Sequence, residues 1–188
     1  MTERSNPDET CLALLRGINV GGKNVIKMAD LRNCFEAEGF RDVVTYIQSG
    51  NVVFRSPSPR LRTLTKRIEE MLAGAFDYEA SVVLRSQRQM RAVVSDAPAE
   101  FGERPETYRY DTLFLKAPLT ATAAMECIPA RTGVDEIWAG NGVLYYSRRI
   151  DQASRSYLSR LASMPVYQRM TVRNWNTTTR LLELMNEN

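Results

Sequence analysis

Cys11-Leu12-Ala13-Leu14-Leu15-Arg16-Gly17-Ile18-Asn19-Val20-Gly21-Gly22-Lys23-Asn24 begins as a strand and ends as a glycine loop. The apolar run Leu12-Ala13-Leu14-Leu15 has no clean alternation, so Cys11 to Ile18 suits a central strand covered on both faces. Beyond the loop, Met28 to Glu38 reads as a helix, with Leu31 and Phe35 on one face and Gly39 as its stop. Asp42 to Gln48 and Asn51 to Arg55 read as two strands around a Ser49-Gly50 hairpin turn. Ser58-Pro59 supplies an N-cap followed by proline at the first helical position. The helix that follows runs to about Phe76, with Leu61, Leu64, Ile68, Met71 and Ala75 facing inward, and Ala80 to Arg85 is a further strand. The order β-α-β-β-α-β is the split βαβ unit of ferredoxin-like folds.

The same order then returns. Ser86 to Ser95 is expected to be a connecting helix, and residues 97–107 a polar, proline-containing linker. Tyr108 to Lys116 is a strand, and Thr120 to Ile128 a helix capped by Thr120. Asp135 to Ala139 and Val143 to Arg148 form a hairpin around Gly140-Asn141-Gly142. Arg155 to Ala162 is expected to be a helix and Val166 to Arg173 a strand, with a last helix from Trp175 to about Met185 capped by Asn174. The fold class is therefore α+β: two ferredoxin-like (βαββαβ) subdomains, mainly antiparallel sheets with helices packed on them. The divisions are a disordered lead over 1–10, a first subdomain over 11–85, a connecting helix and linker over 86–107, and a second subdomain with its C-terminal helix over 108–188. No residue identity is obvious between the halves.

The composition narrows the function classes. A chain of 188 residues holds one sizeable core or two small ones. The apolar content of 44% and charged content of 25% are ordinary for a globular protein, and the net charge of +3 is too mild to demand an anionic partner. No apolar run approaches the ~20 residues that span a bilayer, so no membrane partner is expected. The polar residues Met1 to Thr10 lack the apolar core of a signal peptide, which points to a cytoplasmic protein. Cys11, Cys34 and Cys127 are widely spaced and odd in number, which gives neither a metal-ligand pattern nor a disulfide framework. Histidine is absent altogether. That removes the commonest general base, the usual partner of a serine or cysteine nucleophile, and the commonest metal ligand. Whether a cofactor is used stays open at this point.

Two loops carry the candidate ligand-binding residues. In a split βαβ unit, strands one and two run in the same direction, with strand three between them. The end of strand one (Arg16, Asn19, Gly21, Gly22, Lys23, Asn24) and the hairpin tip (Gln48, Ser49, Asn51) then lie along one edge of the sheet. Backbone N–H groups of a glycine turn, a helix N-terminus and the cations Lys23 and Lys27 suit a phosphate or carboxylate. The pattern lacks the G-K-[ST] ending of a P-loop and the third glycine of a dinucleotide fingerprint. The plainer reading is that Gly21 and Gly22 only allow a tight turn. Gln48 and Asn51 either bind a ligand or brace the glycine loop, and bracing is favoured. Arg173 and Asn174 complete the candidate set, although Asn174 as an N-cap and Trp175 as a core residue explain that stretch adequately. Tyr46, Lys23, Ser49 and Asp30 have the chemistry of an acid, electrophile, nucleophile and base, but nothing in their spacing selects those roles. Asp30 is as well explained as a first-turn acid favoured by the helix dipole.

At these residues the chain resembles the DUF1697 proteins, whose name records an unassigned function. The matching stretches are LLRGINVGGKNVIKMADLR, GFRDVVTYIQSGNVVFRS and TVRNWNTTTRLLEL, together about a quarter of the chain. The resemblance implies a small bacterial α+β protein with ferredoxin-like subdomains. It implies no activity, cofactor or catalytic residue.

The expectation is thus a binding protein for a small anionic ligand, such as a nucleotide or phosphorylated metabolite. Nucleic-acid binding is disfavoured, because strand one offers no aromatic for base stacking and strand three only Phe54. A protein–protein assembly module is the remaining alternative, and the oligomeric state stays open.

Overall fold

The computed structural model describes residues 8–22, 24–57 and 60–188. The expectations for the N-terminal lead over residues 1–7, for Lys23, and for the Ser58-Pro59 helix start lie outside the described residues. The chain divides into two compact units: one runs to Met90 and takes in Leu181–Asn188, and the other is Arg91–Arg180.

The first unit is built from β1 (Glu9–Leu15), α1 (Met28–Ala37), β2 (Arg41–Tyr46), β3 (Asn51–Ser56), α2 (Leu61–Ala75), β4 (Val82–Ser86) and the start of α3 (Gln87–Ser95). Its sheet has the order β2-β3-β1-β4 and every pairing is antiparallel. β1 and β2 therefore run in the same direction on either side of β3, the ferredoxin-like arrangement. All five residues from Cys11 to Leu15 are buried, as a centrally placed strand requires. Alternate residues Cys11, Ala13 and Leu15 join a core with Leu31 and Phe35 of α1, Val52 and Phe54 of β3, and α2. Phe35, Phe40 and Phe54 meet there at centroid separations of 4.8–5.6 Å.

Along α2 the buried stripe is Leu64, Ile68 and Leu72 rather than the expected five residues. Leu61 and Met71 sit half-buried at its margins, and Ala75 faces solvent. The reason is area: turning Leu72 inward removes more apolar surface from water than turning Ala75 inward.

The second unit holds the end of α3, β5 (Tyr108–Leu115), α4 (Ala121–Cys127), β6 (Asp135–Gly140), β7 (Val143–Arg149), β8 (Met170–Asn174) and the start of α5 (Trp175–Glu187), whose residues from Leu181 on belong to the first unit. Its sheet order, β6-β7-β5-β8, repeats that of the first unit position for position, again wholly antiparallel. The hairpin turn is Asn141-Gly142, and Thr120 caps α4 by accepting from the Ala123 N–H at 3.2 Å.

Two expectations fail between β7 and β8. Residues 155–162 are not an α-helix; the stretch is three 3-10 segments, Ala153–Arg155, Tyr157–Ser163 and Pro165–Arg169. The Ser156 hydroxyl takes the Leu158 N–H at 3.2 Å and starts a fresh segment, and Pro165 has no N–H to continue the previous one. For the same reason β8 starts at Met170 and not at Val166.

A correspondence between the units is visible only in the folded chain. Arg85 and Arg173 each occupy the fourth position of the last strand, just before a helix begins. Both are buried, and each donates from Nη1 to the carbonyl of the preceding residue, Leu84 or Val172, at 2.8 Å. Burial pulls both guanidiniums down to about 10, which leaves them cationic at neutral pH.

Two glycines test the packing. Gly50 has φ of +73° and no room for a Cβ, which would fall 2.6 Å from Ile18 Cδ1 and 2.8 Å from Leu15 Cβ. Gly50→Ala is expected to lower stability in urea denaturation by more than about 2 kcal/mol, from backbone strain plus overpacking. Gly74→Ala, on the exposed side of α2 with nothing near the added methyl, is expected to raise it by about 0.5–1 kcal/mol.

Candidate functional site

The loop after β1 is held in shape by its own asparagines. Asn19, in the left-handed region at φ 54°, places one amide between the backbones of Ile26 and Gln48. Its Oδ1 accepts from the Ile26 N–H at 2.9 Å, and its Nδ2 donates to the Ile26 carbonyl at 3.0 Å and to the Gln48 carbonyl at 2.9 Å. Asn24, also left-handed, donates from Nδ2 to the Gly17 carbonyl at 2.9 Å, and its own carbonyl accepts from the Asn19 N–H at 3.1 Å. Ile18 and Ile26 are buried beneath the loop, and the Tyr78 hydroxyl donates to the Arg16 carbonyl.

The β2–β3 turn is built the same way. Asn51 is wholly buried, and its Nδ2 donates to the Tyr46 carbonyl at 2.9 Å and to Ser49 Oγ at 3.0 Å. The Leu15 N–H reaches across to the Gly50 carbonyl at 2.8 Å. Ile47 is forced to φ 48°, a conformation that a β-branched residue rarely adopts.

Arg16, Asn19, Gly21, Gly22, Asn24, Gln48, Ser49 and Asn51 thus belong to two loops joined by the Asn19–Gln48 hydrogen bond. The side-chain amides of Asn19, Asn24 and Asn51 point at neighbouring carbonyls and serve as struts. Lys23 is among the residues not described. Arg173 and Asn174 belong to the second unit: Arg173 is buried and bonded to Thr171 Oγ1 at 2.8 Å, and Asn174 caps α5 by accepting from the Thr177 N–H at 2.7 Å. Trp175 packs on Phe101 at 5.1 Å, the core role expected of it.

The two loops hold three aliphatic side chains outward. Val20, Val25 and Ile47 are 66%, 73% and 47% exposed, and each adjoins a residue of the Asn19–Ile26–Gln48 hydrogen-bond set. Exposed Gly21, Gly22 and Lys27 lie between and beside them. Sequence reasoning missed the three aliphatic residues, because a single Val or Ile in a glycine loop carries no periodic signal. It missed Tyr78 too, whose role depends on a contact far along the chain.

Acid–base and nucleophilic chemistry has little to work with here. Burial pushes the Cys11 thiol up to about 12, and burial beside Glu38 raises that of Cys34, the reverse of an activated thiolate. Burial likewise raises the Tyr78 phenol. Asp30 sits in the first turn of α1 as the helix dipole favours. Among the described residues no cluster of three or more cysteine or carboxylate side chains is placed to hold a metal ion, and no helix is long and apolar enough to cross a membrane.

If the asparagines are struts, stability reads them directly. Asn19→Ala is expected to cost about 2 kcal/mol in urea denaturation, since it orphans both polar backbone groups of Ile26. Gln48→Ala, whose side chain is exposed, is expected to stay within about 0.5 kcal/mol of the native protein. Ile47→Asn is expected to stabilise by about 1 kcal/mol, because asparagine tolerates the left-handed backbone that isoleucine resists.

Comparisons with known proteins agree with this fold. The chain resembles the structure of the conserved bacterial protein SP0830 from Streptococcus pneumoniae at 25% sequence identity, with a TM-score of 0.84, covering 95% of this chain and 99% of that one. No curated protein matches the chain. Residues 9–145 match the family model described as "Protein of unknown function (DUF1697)". With most of both units inside that match and the expected sheet order in each, the chain belongs to the DUF1697 family.

Proposed function

We propose that this chain is a non-catalytic binding protein of the cytoplasm, and that it recognises a protein partner through the braced surface of the Arg16–Asn24 loop and the Ile47–Gly50 turn. One observation carries this reading: the amides of Asn19, Asn24 and Asn51 are consumed in fixing the loops, and Val20, Val25 and Ile47 are held outside. A loop free to collapse would turn Val20 and Val25 inward. The strut hydrogen bonds and the left-handed residues at Asn19, Gly21, Gly22 and Asn24 prevent that. Rigid, partly apolar surface is the arrangement that loses least entropy on docking. The cations Arg16 and Lys27 flank it, so the complementary partner carries an apolar patch with acidic groups around it.

The second reading, a small anion such as a nucleotide or phosphorylated metabolite, rests on a separate observation. The exposed backbone of Gly21 and Gly22 is left-handed at φ 58° and 73°, which lets a ligand approach the main chain closely.

Two measurements separate them. In affinity capture, the native chain is expected to retain one stoichiometric protein that Val20→Ser/Val25→Ser/Ile47→Ser loses; equal recovery by the variant refutes the docking surface. In a thermal-shift screen with nucleotides and sugar phosphates, a rise in melting temperature that Arg16→Ala and Lys23→Ala abolish would establish the anion reading instead.

A further inference from the structure

The two faces of the second sheet differ in chemistry. Leu113 and Leu115 of β5, Ile137 of β6, and Leu144 and Tyr146 of β7 join a core with Ala124 of α4 and Leu161 of the 3-10 segment. Side chains alternate along a strand, so Tyr108, Tyr110, Glu136, Trp138, Tyr145 and Ser147 share the other face. The register sets Tyr110, Ser147 and Glu136 side by side in one row, with Thr112, Tyr145 and Trp138 in the next. Tyr110 and Glu136 thus stand two strand spacings (roughly 9.5 Å) apart, and the short Ser147 leaves a trough between them.

Phe101 closes this trough. Its ring meets Tyr110, Trp138, Tyr145 and Trp175 edge-to-face at centroid separations of 4.9–5.9 Å. Gly102 approaches Trp175 so closely that a Cβ would fall 2.4 Å from the indole Cδ1, which fixes the segment carrying Phe101. The result is a preformed pocket of about 120 Å³ lined by the rings of Phe101, Tyr108, Tyr110 and Trp138. Tyr108, Tyr110 and Trp138 are half-buried, so their rings are reachable from solvent.

The charge of the pocket is one-sided. Arg104 lies over the Tyr108 ring at 5.1 Å with its Nη2 3.7 Å from Glu100 Oε2, so those two charges compensate each other. Arg149, beside Tyr108 in the register, is paired with Asp151 at 2.7 Å. Among the described residues no cation pairs with Glu136, which also lines the pocket. One uncompensated carboxylate therefore borders four aromatic rings, whose faces are themselves electronegative.

We propose that this pocket binds a quaternary ammonium head group, a choline-like cation. Its methyl groups rest against Phe101, Tyr110 and Trp138, and its charge faces Glu136. A phosphate or carboxylate meets Glu136 instead, and a neutral apolar group leaves that charge unanswered. A nucleotide needs a larger cleft, since small-molecule sites run to ~300 Å³ and above. A primary ammonium must shed a strong hydration shell and find acceptors for three N–H donors, whereas a fully methylated nitrogen has none. Arg104 on Tyr108 shows that the wall already holds a weakly hydrated cation.

The test is calorimetric titration of the full chain, at constant ionic strength, with tetramethylammonium and with choline. Beside them run the neutral tert-butyl analogue of choline and glycine betaine, which adds a carboxylate. Both cations are expected to bind, the neutral analogue about tenfold more weakly than choline, and betaine more weakly than choline because its carboxylate approaches Glu136. A capped trimethyllysine, titrated in parallel, identifies the source of the head group as a side chain or a free small molecule by its affinity relative to choline. Glu136→Gln and Tyr110→Leu are each expected to weaken choline binding by about threefold to tenfold. Arg104→Gln is expected to tighten it by about threefold, because Glu100 then becomes a second uncompensated carboxylate. Glu136 is exposed, so Glu136→Gln is expected to melt with the native protein and reads binding alone. No heat from either cation, equal binding of the neutral analogue, or choline affinity unchanged in both Glu136→Gln and Tyr110→Leu overturns the proposal.

Discussion

The geometry of the first unit depends on one close approach, that of Gly50 to the end of β1. A hairpin tip without a Cβ lies against Leu15 and Ile18, and its carbonyl takes the Leu15 N–H at 2.8 Å. The approach sets the spacing between the loop after β1 and the β2–β3 turn. At that spacing the Asn19 amide reaches the Gln48 carbonyl, and Asn51 is sealed under the turn. A methyl group at position 50 would fall 2.6 Å from Ile18 Cδ1 and 2.8 Å from Leu15 Cβ, so the contact holds only with glycine there.

Asparagine serves this arrangement because its side chain reproduces a peptide group. In Asn19, one carbonyl and one NH2 mimic a third strand beside Ile26, and the left-handed backbone that aims them there costs asparagine less than most residues. The consequence for function is that a polar loop need not be a polar surface. The amides of Asn19, Asn24 and Asn51, which read as ligand contacts in the sequence, face backbone carbonyls of the two loops, and Val20, Val25 and Ile47 are left exposed. The family match and the similar pneumococcal structure share this frame without assigning it an activity.

The two units use one topology with different interiors. In the first, helices α1 and α2 cover a core with three phenylalanines in mutual contact. In the second, 3-10 segments replace the second helix. Arg85 and Arg173, at matching positions and matching depth, are the sign that the halves repeat in more than strand order.

The sequence by itself determined the succession of strands, the central place of β1 and the caps at Thr120 and Asn174, because these follow from local periodicity and from one side chain reaching its own backbone. It also brought the two loops together, since the split βαβ topology leaves them one place to go. Tertiary structure alone decided what the loops present. Whether an asparagine faces solvent or a carbonyl seven residues away depends on chain contacts that no local pattern encodes, as the Asn19–Ile26 pair shows. The same holds for the inward turn of Leu72 and the failure of residues 155–162 to form a helix. Each was settled by packing, where burial area and backbone satisfaction outweigh the propensity of any short stretch.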